Sequence, residues 1–561
     1  YANLSIGYEF INDNELKIVK MKLLTLFLIV LVNFEIYAID VRIDPLVLTK
    51  QGLVRGQRAE DGDYSSFLGI SYARINPENP FGVSDNLPPE TYDEIFNAYD
   101  GSSKCPQTEF FMGSTRHDGS LDCLKLNVYV PAVASSNNRL PVMVWIHGGG
   151  FIFGEAGSYK ARDLVRHGII LVTINYRLGP YGFMCLDVPD VPGNQGLKDQ
   201  FTALQWVKDN IAVFGGDPSN VTLSGQSAGG ASVDFHIFSP HERLFNKAII
   251  QSGTSQTDGL FVEGDEAAAI KIASHLGFET DDTTQALTFL GTAAPNLVTG
   301  AAFELKLSLV PCKERSFSRI RNFIETDPYS SSAPAKLRDL PVLIGHTDKE
   351  SFDSLIGIED VESMGNYFYD TLNNVFDLEE EELLEAANTI RHFYIGDKAV
   401  SKSVFLEMEA CASDFFANHP TQRTISKYLQ QGSSPIYQYI FSYVGRSALK
   451  SFPGVGASHN EELQYLFALD SDNEFSEEDQ LVADRITTLW ANFVKYGNPT
   501  PEKTDLVPII WQPATVSTRP YLEIDSNLHL DSRVYNNRMA FWDLFYITYG
   551  RHHKLIPDCE E

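Results

Sequence analysis

The chain has 561 residues, 43% hydrophobic and 21% charged, with a formal net charge of -30. This composition excludes disordered and collagen-like classes, and so acidic a field repels nucleic acid and anionic membrane surfaces. At roughly 150 residues per domain the length would allow three or four domains. From Ile43 onward, however, no repeat, low-complexity tract or Pro/Ser-rich linker divides the sequence, so one continuous domain is expected.

The first methionine is Met21, and residues 1–20 read as translated leader. Lys22, the apolar run Leu23–Val32 and the small residue Ala38 make 21–38 a secretory signal peptide. The run is shorter than the about 20 apolar residues a membrane span needs. Cleavage and secretion are therefore expected, with no membrane span in the mature protein, and 39–561 as the folded domain. Cys105 and Cys123 bracket a polar, Gly-containing loop and form the best local disulfide pair. Cys185, Cys312, Cys411 and Cys559 allow three pairings, among which spacing does not choose.

Short runs rich in Val and Ile recur along the chain: Pro141–Ile146, Ile169–Ile174, Val221–Leu223, Ala248–Ile250, Pro341–Ile344 and Ile436–Phe441. Lacking alternation, they suit strands buried on both faces of a mostly parallel sheet. Helices are expected at Gly196–Asn210 and Ala228–Phe238 between them, and strand–helix alternation marks an α/β fold. The acidic run Glu379–Glu382 is expected to open an exposed helix, where the dipole tolerates carboxylates. Asn220-Val-Thr222 is the one N-glycosylation sequon of the inferred mature chain.

His147-Gly148-Gly149-Gly150-Phe151 follows the first of these strands. Three glycines leave backbone N–H groups unshielded, as donors to a developing oxyanion require. Gly225-Gln226-Ser227-Ala228-Gly229 stands between the strand at Val221 and an apolar helix, the setting of a nucleophile elbow. Ser227 is thereby predicted to be a nucleophile, with the N–H of Ala228 joining the glycine loop.

A serine needs a base, and the base needs an acid to orient it. In strand–turn–helix hydrolases the order along the chain is Ser, then Asp or Glu, then His. His459, in the Gly-containing loop Gly456-Ala-Ser-His459 after the strand at Ile436, is the expected base. His236, on the helix behind the serine, reads as structural, and His346 shares a loop with the acid candidates. Asp348 and Glu350 both follow the strand Pro341–Ile344, and spacing does not separate them.

These motifs, with Phe67–Ala73, Asp122–Val128, Gly193–Gln200, Phe214–Pro218 and Asn498-Pro499, resemble the type-B carboxylesterase and cholinesterase family, particularly secreted insect carboxylesterases, from Ile43 to Tyr549. The resemblance implies an α/β-hydrolase fold: a single domain with a large, mostly parallel mixed sheet flanked by helices. It also implies hydrolysis of small-molecule carboxylic esters through an acyl-enzyme, and no metal or other cofactor. It selects Glu350 as the acid, Gly149, Gly150 and Ala228 as oxyanion donors, Ser252 as support for the acid, and Cys105–Cys123 as a disulfide.

The departures from the family pattern concern charge and substrate. An Arg and a Glu that pair in the family are both absent; the nearest equivalents are Pro80-Phe81 and Ser120-Leu121-Asp122-Cys123. Removing both partners of an ion pair can be nearly neutral. Cys312 takes a usually apolar position and is expected to be an inert buried thiol. Gln226 replaces the cholinesterase Glu, and the loop Pro106–Asp122 has no Trp, which argues against a quaternary ammonium substrate. Gln226 and the pattern Gly456-x-x-His459-x-x-Glu462 also fit juvenile hormone esterases, while the missing Arg-Phe argues against that narrower class. Cholinesterase-like adhesion proteins share the fold but usually lose a triad residue. Here all three candidates are present.

Overall fold

The computed structural model describes residues 45–555, apart from 112–113, 333, 357–363, 447–449, 451, 453 and 470–474. The leader, the signal segment and Cys559 lie outside the described residues.

Eleven strands form the central sheet. In chain order they are β1 (Gln57–Arg58), β2 (Tyr64–Ser71), β3 (Lys125–Pro131), β4 (Leu140–Ile146), β5 (Ile170–Ile174), β6 (Gly216–Gln226), β7 (Lys247–Gln251), β8 (Val342–Thr347), β9 (Ile436–Phe441), β10 (Pro520–Ile524) and β11 (Leu528–Ser532). Their spatial order is β11-β10-β9-β8-β7-β6-β4-β5-β3-β2-β1. Neighbours from β5 through β10 run parallel, and the pairs at both ends are antiparallel. This is an α/β-hydrolase sheet within a single domain. β9 is found as the sequence predicts; β5 starts one residue later than expected and β8 starts one later but runs on to Thr347, while β4, β6 and β7 are longer than expected, β6 most of all.

The sequence periodicity explains why both faces are covered. Val142, Val144 and Ile146 enter one hydrophobic layer, whereas Met143 and Trp145 enter the other. Helices α1 (Gln195–Asn210) and α2 (Ala228–Phe238) bury Leu197, Leu204, Val233 and Phe235 in the first layer. Helix α3 (Glu477–Tyr496) buries Ile486, Leu489 and Trp490 in the second. At about 25 cal/mol per Å² of apolar area removed from water, this double burial is the main stabilising contribution. The acidic run does open a helix, Glu380–Tyr394, with Glu379 as its N-cap.

Cys105 and Cys123 are disulfide-bonded. Cys185 and Cys312 form a second disulfide, which corrects the expectation of an inert thiol at Cys312. The reason lies in the turn between them. At Gly193, φ is +105° and an added Cβ would come within 2.6 Å of both sulfurs. Asn194 then donates to the Cys312 carbonyl at 2.7 Å and accepts from its N–H at 2.9 Å. Cys411 is a buried free thiol. At the departed ion pair, Pro80 offers its carbonyl to the buried Arg177 at 3.2 Å, and Phe81 stacks on Tyr181.

Candidate active site

The parallel strands deliver their C-terminal ends to one rim, the usual place for ligands in open α/β sheets. At the end of β6, Ser227 adopts φ 58° and ψ -126° and caps the start of α2. A non-glycine residue there is strained by of order 1–3 kcal/mol, which surrounding structure must hold. The Ser227 N–H donates to the Gln251 carbonyl at 2.8 Å, and the Ser227 carbonyl accepts from Ala231 at 2.9 Å.

The loop after β4 lies against this turn. A Cβ added to Gly148 would come within 2.9 Å of the Ser227 Cβ and 3.0 Å of Gln226 Oε1. Gly149 has φ +105°, and its carbonyl accepts from Ile152 and Phe153 at 2.9 and 3.1 Å. A side chain at Gly149 would meet the Phe153 carbonyl oxygen at 2.0 Å, whereas beside Gly150 there is open space. The loop is thus folded tightly at Gly149 and open at Gly150. His147 stacks on Tyr176 at 4.4 Å, and burial pushes its pKa down to about 4. It is a neutral brace behind the loop.

Glu350 follows β8 and is buried. Its Oε1 accepts from the Ser252 hydroxyl at 2.6 Å and the Thr347 N–H at 2.7 Å. Its Oε2 is bonded to Nδ1 of His459. Burial alone would raise the Glu350 pKa, but the charge and hydrogen bond of His459, with His346 and Ser252, bring it below the ordinary value. Burial works against imidazolium at His459, yet Glu350, then Glu462 and Asp353, raise its pKa overall. An ionised carboxylate therefore holds an imidazole in the tautomer with Nδ1–H toward Glu350 and the Nε2 lone pair outward.

Asp348, the rival acid, has a different task. Its Oδ1 accepts from the Ala457 N–H at 2.7 Å, and the Lys349 N–H donates to the Ala457 carbonyl at 3.0 Å. The acid loop and the His459 loop are thereby tied together. His236 pairs with Gln200 at 3.1 Å, and His346 bonds the Thr347 carbonyl at 2.7 Å. Both are buried with lowered pKa values, and neither reaches Glu350 by a hydrogen bond.

Among the described residues no hydrogen bond joins Ser227 to His459. The Nε2 of His459 instead faces Nε2 of Gln226 at 3.2 Å. Substrate-free catalytic contacts are often loose and tighten only with substrate. Beside His459 opens a cavity of about 620 Å³, with Leu355, Met364, Phe415 and Phe416 as an apolar wall and Glu350, Ser351, Asp353, Ser354 and Asn460 among its polar lining. A π-helical turn at Asp414–Asn418 presents the two phenylalanines, one of which meets the His459 ring edge-on at 5.8 Å. Such turns often occur at functional sites. The apolar residues of this wall have no motif to announce them, and sequence reading missed them.

Glu462 was recognised only as part of a pattern. It is fully buried, accepts from Gln251 at 2.9 Å, and burial, reinforced by Glu350, raises its pKa to about 7. Asn220 is half-buried in β6, where it accepts from Lys247.

A sequence model of the carboxylesterase family matches residues 43–542. Esterase FE4 of Myzus persicae is 32% identical over 476 residues, covering 80% of this chain and 83% of the relative. Juvenile hormone esterase of Heliothis virescens is 31% identical over 489 residues, 80% and 85% of the two chains, and that of Tribolium castaneum is 31% identical over 507 residues, 82% and 84%. With this match across nearly the whole fold, the chain belongs to the carboxylesterase family and is a carboxylic ester hydrolase.

Proposed function

We propose that the protein is a secreted serine carboxylesterase with Ser227, His459 and Glu350 as its triad. The observation that carries the reading is the bond between the buried Glu350 and His459, beside the strained turn at Ser227. His459 takes the Ser227 proton as the hydroxyl attacks the ester carbonyl, and the N–H groups of Gly149, Gly150 and Ala228 receive the oxyanion. His459 then returns the proton to the departing alcohol. Water repeats the cycle on the acyl-enzyme while Glu350 stays ionised and keeps the imidazole oriented.

Two disulfides suit an oxidising compartment, in keeping with the signal at 21–38. No helix of the described residues is long and apolar enough to cross a membrane. The apolar wall of Leu355, Met364, Phe415 and Phe416 favours esters with a sizeable hydrophobic group. A juvenile-hormone-type ester is the second reading. It is favoured by Gln226, the Gly456-x-x-His459-x-x-Glu462 pattern and the two relatives bearing that name.

The test is hydrolysis of short acyl esters, juvenile hormone and a choline ester by the protein and by Ser227→Ala. The variant should fold and lose ester turnover, with apolar esters preferred over the choline ester by the wild type. A folded Ser227→Ala protein with undiminished turnover would overturn the triad.

A further inference from the structure

Gln226 ends β6 as a buried amide between the glycine loop and the base. Its Nε2 lies 3.2 Å from His459 Nε2, while Oε1 is directed toward Gly148, where an added Cβ would approach it to 3.0 Å. The polarity of this contact follows from the far side of the ring. With Nδ1–H committed to Glu350, the neutral imidazole has only a lone pair at Nε2, so the amide must be the donor. That lone pair is the same one the Ser227 hydroxyl needs.

We propose that Gln226 is a positioning residue that occupies the lone pair of His459 in the resting enzyme and surrenders it to Ser227 when substrate enters. The inference rests on the triad reading. The titratable groups facing His459 are Glu350, Glu462 and Asp353, all carboxylates, and each favours imidazolium when ionised. A neutral donor opposes them, because hydrogen bonding to the uncharged form disfavours protonation. Gln226 thus keeps the base unprotonated at lower pH than its acidic surroundings alone would set. A glutamate at this position would do the reverse, adding a fourth carboxylate and replacing the donor with an acceptor.

The experiment follows kcat/KM for a short acyl ester, and the rate of Ser227 phosphonylation by a fluorophosphonate, across pH 5 to 9 in the wild type, Gln226→Glu and Gln226→Met. The acid limb should move up by about one pH unit in Gln226→Glu, tenfold in rate on the limb. It should move up by less in Gln226→Met, which fills similar volume with no amide donor, and the shift should be larger in kcat/KM, which reports the free enzyme, than in kcat, which reports the complex. A purely structural glutamine would lower the plateau and leave the limb in place, and an unmoved limb in either folded variant overturns the proposal. Should Gln226→Glu not fold, Gln226→Met decides, together with titration of the His459 ring by NMR in Ser227→Ala with and without Gln226→Met. If folded Ser227→Ala still turns over ester, the triad itself is wrong. If it is dead while the limbs stand still, the role of Gln226 alone is wrong.

Discussion

Ser252 donates to Oε1 of Glu350 at 2.6 Å, while His459 holds the other oxygen of the same carboxylate. The serine thus fixes the plane of the carboxylate that is bonded to His459. A hydrogen bond to a charged group contributes about 1.5–3 kcal/mol. Ser252→Ala should therefore lower kcat/KM by about tenfold or more, with an unchanged circular dichroism spectrum. The remaining bond from Thr347 prevents complete loss.

Glu462 makes stability depend on pH in a direction opposite to most carboxylates. Its pKa is raised to about 7 by burial and then by Glu350. Its contribution is fully present below the ordinary carboxyl range and is lost as pH rises through about 7. Glu462→Gln keeps an acceptor for Gln251 without the charge. Urea unfolding at pH 5 and pH 8 should show the variant gaining about 1–3 kcal/mol on the wild type at the higher pH.

The two loop glycines should respond differently to the same substitution. Gly149→Ala places a Cβ 2.0 Å from the Phe153 oxygen and must distort the turn. Gly150→Ala meets open space and, at φ +61°, carries only left-handed backbone strain of about 1–2 kcal/mol. Steady-state kinetics should show a loss of about a hundredfold or more in kcat for Gly149→Ala, the size of losing an oxyanion donor. Gly150→Ala should stay within about tenfold.

The disulfide between Cys185 and Cys312 closes a separation of 127 residues. Chain-entropy arguments and the usual cost of losing a native disulfide suggest about 2–5 kcal/mol. The double Ser variant should unfold at correspondingly lower denaturant, retain activity at 25 °C, and bind no additional thiol reagent at these positions.

Much of the fold was legible because buried parallel strands write themselves as uninterrupted Val/Ile runs. Ala228–Phe238 was placed to the residue because the Gly225–Gly229 motif marks the strand-to-helix turn. The antiparallel ends left no such mark. Gln57–Arg58 and Leu528–Ser532 are short and largely exposed, so no apolar run signals them. The Cys185–Cys312 bond was illegible because its partners meet only through the Gly193–Asn194 turn, and Phe415 and Phe416 because a π-helical turn has no composition of its own.

The sequence by itself determined the buried parallel strands and the helix after Ser227, and it set Ser227, Glu350 and His459 in motif order, since local propensity and motif order depend on neighbours along the chain. Spacing left Asp348 and Glu350 equivalent and the family resemblance pointed to Glu350, but only the tertiary structure gives them different partners: two residues apart, one accepts from Ala457 and the other from His459. It alone set Gln226 against His459 as well. Such choices depend on which groups converge across more than a hundred residues, and on which buried polar atoms must then find one another, because an unpaired one is costly away from water.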